Sequence, residues 1–325
     1  MRKLWIGLIF ILILLTACSS EKEVRSIKLA HSLSPSHPVH LAMEYMAKQV
    51  DSLSEGQMRL DIYPSEQLGS ERECMELLQL GSIGMTKVSA SPLSQFVNEY
   101  KVFSVPYIFR DRDHFFSVLE GKIGKEILLS GTEKGLRGLC YYDAGSRSFY
   151  STEKMIQTPQ DIKGMNIRVM EDAMAMEMIR QMGGSPTPIS WGELYTSLQQ
   201  GIVDAAENNF PSYYLSHHFE VAKYYSLDAH TSIPDVLLMS SHVWKKLSSK
   251  EKEVIQIAAN KSAQREKILW QEARQEARTK VKEAGVEIYH PDKSLFQKKV
   301  EPLYEQIKQN RPEIYAYLKR IRGVK

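Results

Sequence analysis

Two arginines hold the clearest chemistry in this sequence. Arg147 follows Gly145-Ser146 at the head of a short apolar run, and Arg168 sits in Asn166-Ile167-Arg168-Val169-Met170. A guanidinium presents a planar fork of donors that matches a carboxylate bidentately. In a strand Ile167 and Val169 share one face and Arg168 takes the other. A bare buried guanidinium is costly, so Arg168 either points into a cleft or meets a salt-bridge partner. On residue types alone the salt bridge is the favoured reading. Catalytic signatures are missing: there is no Gly-rich phosphate loop, no HExxH, no GxSxG and no CxxC. Cys74 and Cys140 fall on predicted secondary structure without a paired motif and read as inert buried thiols. Among the nine histidines, His37 and His40 are three apart and His217 and His218 are adjacent. Neither pair has convincing metal spacing, so no metal and no cofactor is expected.

The elements that must position these side chains alternate. Residues 26–31 read as a strand. Pro38 then opens a helix whose Val39, Met43, Met46, Val50 and Leu53 share one face. Met58, Leu60 and Ile62 alternate as a strand, and Ser70 with Glu73 forms a capping-box pattern at the next helix. Further strands are expected at 84–89, 136–142, 147–151, 166–170, 203–207 and 235–240. Further helices are expected at 113–119, 172–182, 191–200 and 295–309. Ser190 with Glu193 is a second capping-box pattern, and Pro302 is a place for the last helix to kink or restart. This alternation predicts an α/β architecture with mainly parallel sheets. Residues 249–284 differ, having no proline or glycine and much Ala, Glu, Lys, Gln and Arg, with Ser248 and Glu251 able to cap the start. A continuous helix there would exceed about 50 Å, so it either kinks or runs across two domains as a strut. Without a low-complexity linker, the domains are expected to be joined by crossing strands.

The chain has 325 residues with a formal charge of +3, too weak to argue for nucleic acid. Three cysteines give no disulfide framework. Two surplus positive charges, Arg2 and Lys3, precede an apolar run from Leu4 to Leu15 that is too short to span a bilayer comfortably. Leu15-Thr16-Ala17-Cys18 resembles the lipobox of bacterial lipoprotein signal peptides. That resemblance implies cleavage before Cys18, acylation of its thiol and a polar tether. The membrane partner is then a lipid anchor, and the location periplasmic or extracytoplasmic. A plain secretory peptide and an uncleaved anchor helix are the alternatives.

The rest of the chain resembles the extracytoplasmic solute-binding proteins of tripartite ATP-independent periplasmic (TRAP) transporters. The match is carried by Tyr63-Pro64-Ser65-Glu66-Gln67-Leu68-Gly69, Val105-Pro106-Tyr107-Ile108-Phe109, Asp161-Ile162-Lys163-Gly164-Met165-Asn166-Ile167-Arg168-Val169, Gly184-Ser185-Pro186-Thr187-Pro188, Glu193 to Gly201 and Val203-Asp204-Ala205-Ala206-Glu207-Asn208. It runs from about Ile27 to about Leu318, with Val203-Asp204-Ala205 where the family usually reads Val-Asp-Gly. The resemblance implies a two-domain periplasmic-binding-protein-like α/β fold with a ligand cleft between the domains and a long helix bracing both. Expected boundaries are 1–17 for the signal peptide, 18–25 for the tether, 26–144 plus 234–273 for the first domain and 145–233 plus 274–320 for the second.

The family's carboxylate-binding arginine falls on Arg168, an assisting arginine on Arg147, and the asparagine of its Glu-Asn pair on Asn208. By position, Glu71, Ser89, Met170 and Trp191 become pocket walls, with Glu73 left to cap its helix. His31 and His37 flank the first loop, where packing and ligand contact stay equally open. Tyr213, Tyr214 and His230 are further walls for which the same choice is open. The expected ligand is a small organic acid. An anionic Glu71 disfavours a plain dicarboxylate and suits sugar hydroxyls, and the Glu71-Arg72-Glu73 and Trp191-Gly192-Glu193 segments look like members that bind hexuronates such as glucuronate or galacturonate. The implied partners are the membrane carrier subunits of the transporter. A C4-dicarboxylate or other hydroxy-acid binder, and a protein presenting its ligand to a sensory receptor, are the alternatives. An enzyme acting on a sugar acid would have only Glu71 and His37 as candidate bases.

Overall fold

The computed structural model describes residues 24–325. The expected signal peptide, Cys18 and nearly all of the tether lie outside the described residues. Eleven strands appear among the described residues: β1 (Arg25–Ala30), β2 (Met58–Tyr63), β3 (Met85–Ser89), β4 (Leu136–Tyr142), β5 (Arg147–Ser151), β6 (Asn166–Val169), β7 (Ser185–Pro188), β8 (Ala205–Asn208), β9 (Tyr224–Thr231), β10 (Asp235–Ser240) and β11 (Glu287–Tyr289). They form two sheets, ordered β2-β1-β3-β10-β4 and β11-β9-β5-β8-β6-β7.

Both sheets are mixed, yet each has a single reversed strand, β10 in the first and β5 in the second, among strands that share one direction, in line with the mainly parallel expectation. β1 runs parallel to β2 and β3, but β10 is antiparallel to both β3 and β4. In the second sheet β6 is parallel to β7 and β8, β11 is parallel to β9, and β5 is antiparallel to β8 and β9. The reversals have a topological cause. β4 leads into β5, and β9 into β10, across the two short links 143–146 and 232–234. These strands carry the chain from one sheet to the other without a returning helix, so they are released from the parallel βαβ rule.

The helix Pro38–Leu53 buries Val39, Met43, Met46 and Val50 as its spacing requires, and His37 caps it by accepting from the Val39 N–H. Glu71–Leu80 starts with the expected Ser70/Glu73 capping box and ends on Gly81 in the left-handed conformation. The Ser190/Glu193 pattern does not cap a helix, because the helix begins only at Leu194 and Trp191 lies in the turn before it. Pro302 does not break Lys293–Asn310, and a new helix, Pro312–Arg322, follows Arg311.

Ser249–Glu283 is one continuous helix of 35 residues, capped by the Ser248/Glu251 box. It packs on Pro38–Leu53 and β4 at its first half and on the short helix Phe210–Leu215 further along. The brace therefore joins both halves of a two-domain α/β fold. The last helix departs from the expected division. Pro312–Arg322 packs on Asn98–Ser104 and Lys122–Leu129, with His114 Nε2 2.9 Å from the Ile321 carbonyl and Glu126 pairing with Arg320. Lys122–Leu129 itself packs on β4. Residues 312–320, expected with the second domain, thus cross back to the first.

Candidate functional site

A cavity of about 80 Å³ opens between the two sheets. One water needs roughly 10–15 Å³, so the space suits a small organic molecule better than a single ion or water. The second-sheet wall carries Arg168, Arg147, Asn208, Met170 and Trp191, and the first-sheet side contributes His37, Glu71 and Ser89. Eight of the nine residues expected to bind ligand are therefore brought together.

Arg168 comes from β6, where its neighbours Ile167 and Val169 go into the core. Its side chain is 2% exposed. Nε donates to the Ile189 carbonyl at 2.9 Å, while Nη1 is buried with no partner. The guanidinium carbon lies 6.0 Å from the centre of the Trp191 ring. Burial is the main cause holding this guanidinium below its ordinary pKa, with Tyr150 pulling the other way. The salt bridge that residue types favoured is not made. A buried donor without an acceptor is a cost the fold retains, and an incoming carboxylate would relieve it.

Arg147 is differently placed. Its Nε and Nη2 fork onto the carboxylate of Glu207, Nη2 also donates to the Glu207 carbonyl at 2.6 Å, and Nη1 donates to Asn208 Oδ1 at 2.9 Å. The antiparallel register of β5 and β8, which sets Ser148 opposite Asn208 and Phe149 opposite Glu207, brings these groups together. Burial raises the carboxyl of Glu207, but Arg147 outweighs it and holds the group down at about 2. His230 continues the chain, its Nε2 3.4 Å from Glu207 and its Nδ1 2.7 Å from Asp228. So Arg147 borders the cavity with its charge paired inside the protein. It fixes Asn208, whose Oδ1 accepts from Arg147, from the Asn209 N–H at 2.9 Å and from Asn209 Nδ2. Three donors on one atom identify it as the oxygen, which leaves the Asn208 amide NH2 to face a ligand.

The first-sheet wall holds a triad that the sequence reading did not single out. Lys87, 2% exposed in β3, places Nζ 3.2 Å from Glu71 Oε1 and 3.1 Å from Asp235 Oδ2. Glu71 Oε1 also accepts from the Ser89 N–H at 3.2 Å. Burial, with Glu71 adding to it against the pull of Lys87, pushes the Asp235 carboxyl up to about 6. Two carboxylates around one ammonium make this end rich in acceptors and unattractive to a second anionic group.

Three contacts close the cleft from side to side. His37 Nε2 lies 3.2 Å from Ser212 Oγ, and since Nδ1 accepts from Val39, Nε2 is the donor. Ser91 Oγ donates to Asp172 Oδ2 at 2.6 Å, and the Gly192 N–H donates to Glu66 Oε1 at 3.3 Å. A Cβ at Gly192 would sit 2.3 Å from Glu66 Oε2, so a larger residue there would push the Glu66 carboxylate aside. Trp270, from the middle of the long helix, lines the cavity and packs 5.8 Å from the His37 ring. Gly145 at φ +60° lies against its indole, in the link between β4 and β5.

His31 is the exception among the expected residues. Its Nδ1 accepts from the Leu33 N–H and its Nε2 meets His40 Nδ1 at 2.9 Å, which turns the ring away from the cavity into a buried pair. Tyr213 is core, its hydroxyl bonded to the Ala222 carbonyl, Tyr214 packs against that core, and His230 belongs to the Glu207 network, so none of the three is a wall.

The profile of the bacterial extracellular solute-binding proteins, family 7, matches residues 29–310. The chain belongs to this family. A relative named as a solute-binding protein of Chromohalobacter salexigens is 37% identical over 281 residues, covering 86% of this chain and 84% of its own. A TRAP periplasmic solute-binding protein of a Bradyrhizobium species, solved with galacturonate, superposes with a TM-score of 0.89 at 37% identity, covering 92% of this chain and 99% of its own. A Chromohalobacter salexigens TRAP protein with bound D-glucuronate gives a TM-score of 0.90 at 35% identity, covering 92% and 100%. These structural neighbours are two-domain TRAP periplasmic binding proteins, in keeping with the two-domain α/β arrangement of this chain. Lys87, Asp235 and Trp270 are among the cavity residues that sequence reading missed. A lone lysine inside Met85-Thr86-Lys87-Val88-Ser89 was the available signal for the first.

Proposed function

We propose that this family 7 protein is the solute-binding subunit of a TRAP-type transporter and that its ligand is a hexuronate, glucuronate or galacturonate. The buried, unpartnered Nη1 of Arg168 carries the reading. The other cations that line the cavity, Arg147, Lys87 and Arg72, are each paired with carboxylates of the protein, so one guanidinium is left for one carboxylate. The Asn208 amide donates to the ligand, Glu71 and Asp235 accept from its hydroxyls, Ser89 Oγ serves either way, and Trp191, Trp270 and Met170 cover the ring faces. Glucuronate and galacturonate in related structures support this ligand class. A C4-dicarboxylate fits less well, because the Glu71–Lys87–Asp235 end would repel its second carboxylate.

Capture proceeds by hinge closure about 143–146 and 232–234, which brings His37 to Ser212 and Gly192 to Glu66. The domain division is 26–144 plus 234–273 against 145–233 plus 274–311, with 312–320 docked on the first. Cys18 carries the lipid anchor that holds the protein to the outer face of a bacterial membrane, and the closed form hands its cargo to the membrane carrier. The site binds and releases; none of its acids is assigned to bond making. A thermal-shift panel of hexuronates, aldonates, sialic acid and C4-dicarboxylates tests the reading. Ligand at about 100 times its Kd stabilises by about 2.7 kcal/mol. A shift with dicarboxylates and none with any hexuronate would refute it.

A further inference from the structure

We propose that the outer face of the long helix docks an extended, acidic peptide segment of a partner protein. Arg274, Arg278 and Lys282 stand at successive turns of that helix, with Gln271, Gln275 and Thr279 between them, and line a trough of about 560 Å³. Trp270, Arg274 and Arg278 also line a neighbouring hollow of about 230 Å³, whose far wall brings His290 and Lys293 beside apolar Phe210 and Leu227. No carboxylate lines either depression. Arg274, Arg278 and Lys282 are exposed, and none of them is in an ion pair among the described residues.

The patterning is directional. At about 100° per residue the three cations fall within one sector of the helix, while Glu272, Glu276 and Glu283 fall on the opposite side. The acids that could have neutralised the cations are present in the same helix and turned away. The cations repeat about every 6 Å along the axis. Alternate residues of an extended chain repeat about every 6.6 Å, so acids at every second position of a strand meet one cation each. Arginine forks add bidentate geometry to that match. A concave trough with apolar flanks admits a peptide and holds off a flat bilayer. The trough also shares Trp270, and the hollow Trp270 and Asn209, with the ligand cavity, so one layer of side chains separates docking surface from cargo.

Assigning the segment to the membrane carrier rests on the transport reading above; the docking surface itself does not. The test is fluorescence anisotropy of a labelled peptide of alternating glutamate and threonine, roughly eight residues long. It is titrated with the protein below and at the physiological ionic strength of about 0.15 M. Wild type should bind with an affinity that falls as salt rises. The combined Arg274→Glu, Arg278→Glu and Lys282→Glu variant should bind at least about tenfold more weakly, three exposed pairs being lost together. A charge-matched control, Lys298→Glu, Lys299→Glu and Lys308→Glu on Lys293–Asn310, should bind like wild type. No binding, or equal loss in both variants, overturns the proposal. Binding to anionic phospholipid vesicles without binding to the peptide overturns it in favour of a lipid surface. Galacturonate titrated into the same proteins keeps the two readings apart: failure there with peptide binding intact counts against the ligand, not the trough.

Discussion

Replacing Arg168 by glutamine separates a ligand clamp from a structural arginine. In the structure the guanidinium makes one protein hydrogen bond, to the Ile189 carbonyl, and buries Nη1 unpaired. A glutamine amide can keep that one bond while removing the charge. A bidentate carboxylate would make two charge-assisted bonds of about 1.5–3 kcal/mol each. Losing both, and leaving the carboxylate desolvated, raises Kd by a factor of about 10²–10⁴. The ligand-free protein should respond in the opposite sense, because an uncompensated buried charge is removed. Its melting temperature should stay level or rise. Isothermal titration with galacturonate gives the first quantity, and urea unfolding without ligand gives the second. Affinity within about threefold of wild type would refute the clamp. A loss of several kcal/mol of ligand-free stability would show that Arg168 holds the fold together.

The Arg147–Glu207 pair predicts the contrary. Glu207→Gln leaves Arg147 and His230 without their shared acid and should cost about 3–5 kcal/mol in urea unfolding. Gly145→Ala forces a left-handed residue and presses a Cβ to 3.3 Å from the Trp270 indole, so unfolding should ease by about 1–2 kcal/mol and galacturonate should bind more weakly by calorimetry. His230 titrates at about 9, raised by Asp228 and Glu207 against the effect of burial. A raised histidine adds stability that is full below about pH 6.5 and lost as pH rises through 9. The stability gap between wild type and His230→Gln should therefore narrow from pH 6.5 to 9 in urea titrations, and a constant gap would remove the ion pair from the account.

Local signals in the sequence went furthest where side-chain periodicity and capping decide structure. The Val39–Met43–Met46–Val50 stripe, the Ser70/Glu73 box and the proline-free run after Ser248 each predict an element that the structure contains. β9 was not legible, because Asp228 and His230 interrupt its apolar run and are buried only through partners on β5 and β8. The site divides in the same way. Arg168 could be found from its strand, whereas the pairing of Arg147 with Glu207 depends on a register between β5 and β8 that no local pattern reveals. Lys87 has no local signal for its partner, because Asp235, which meets it, lies 148 positions later in the chain.

That late arrival has a consequence for how the chain acquires its shape. In the first sheet β3 and β4 are not neighbours; β10 lies between them and pairs with both. A nascent chain that has emerged only as far as residue 142 has all the other strands of that sheet and a gap between β3 and β4. The sheet can close only after the whole of β5 to β9 has appeared, so the first half of the molecule cannot complete its fold before the second has been made. Long-range closure of this kind slows folding. A chain that must pass a membrane before folding would gain from that delay, since it stays threadable until most of its length has emerged.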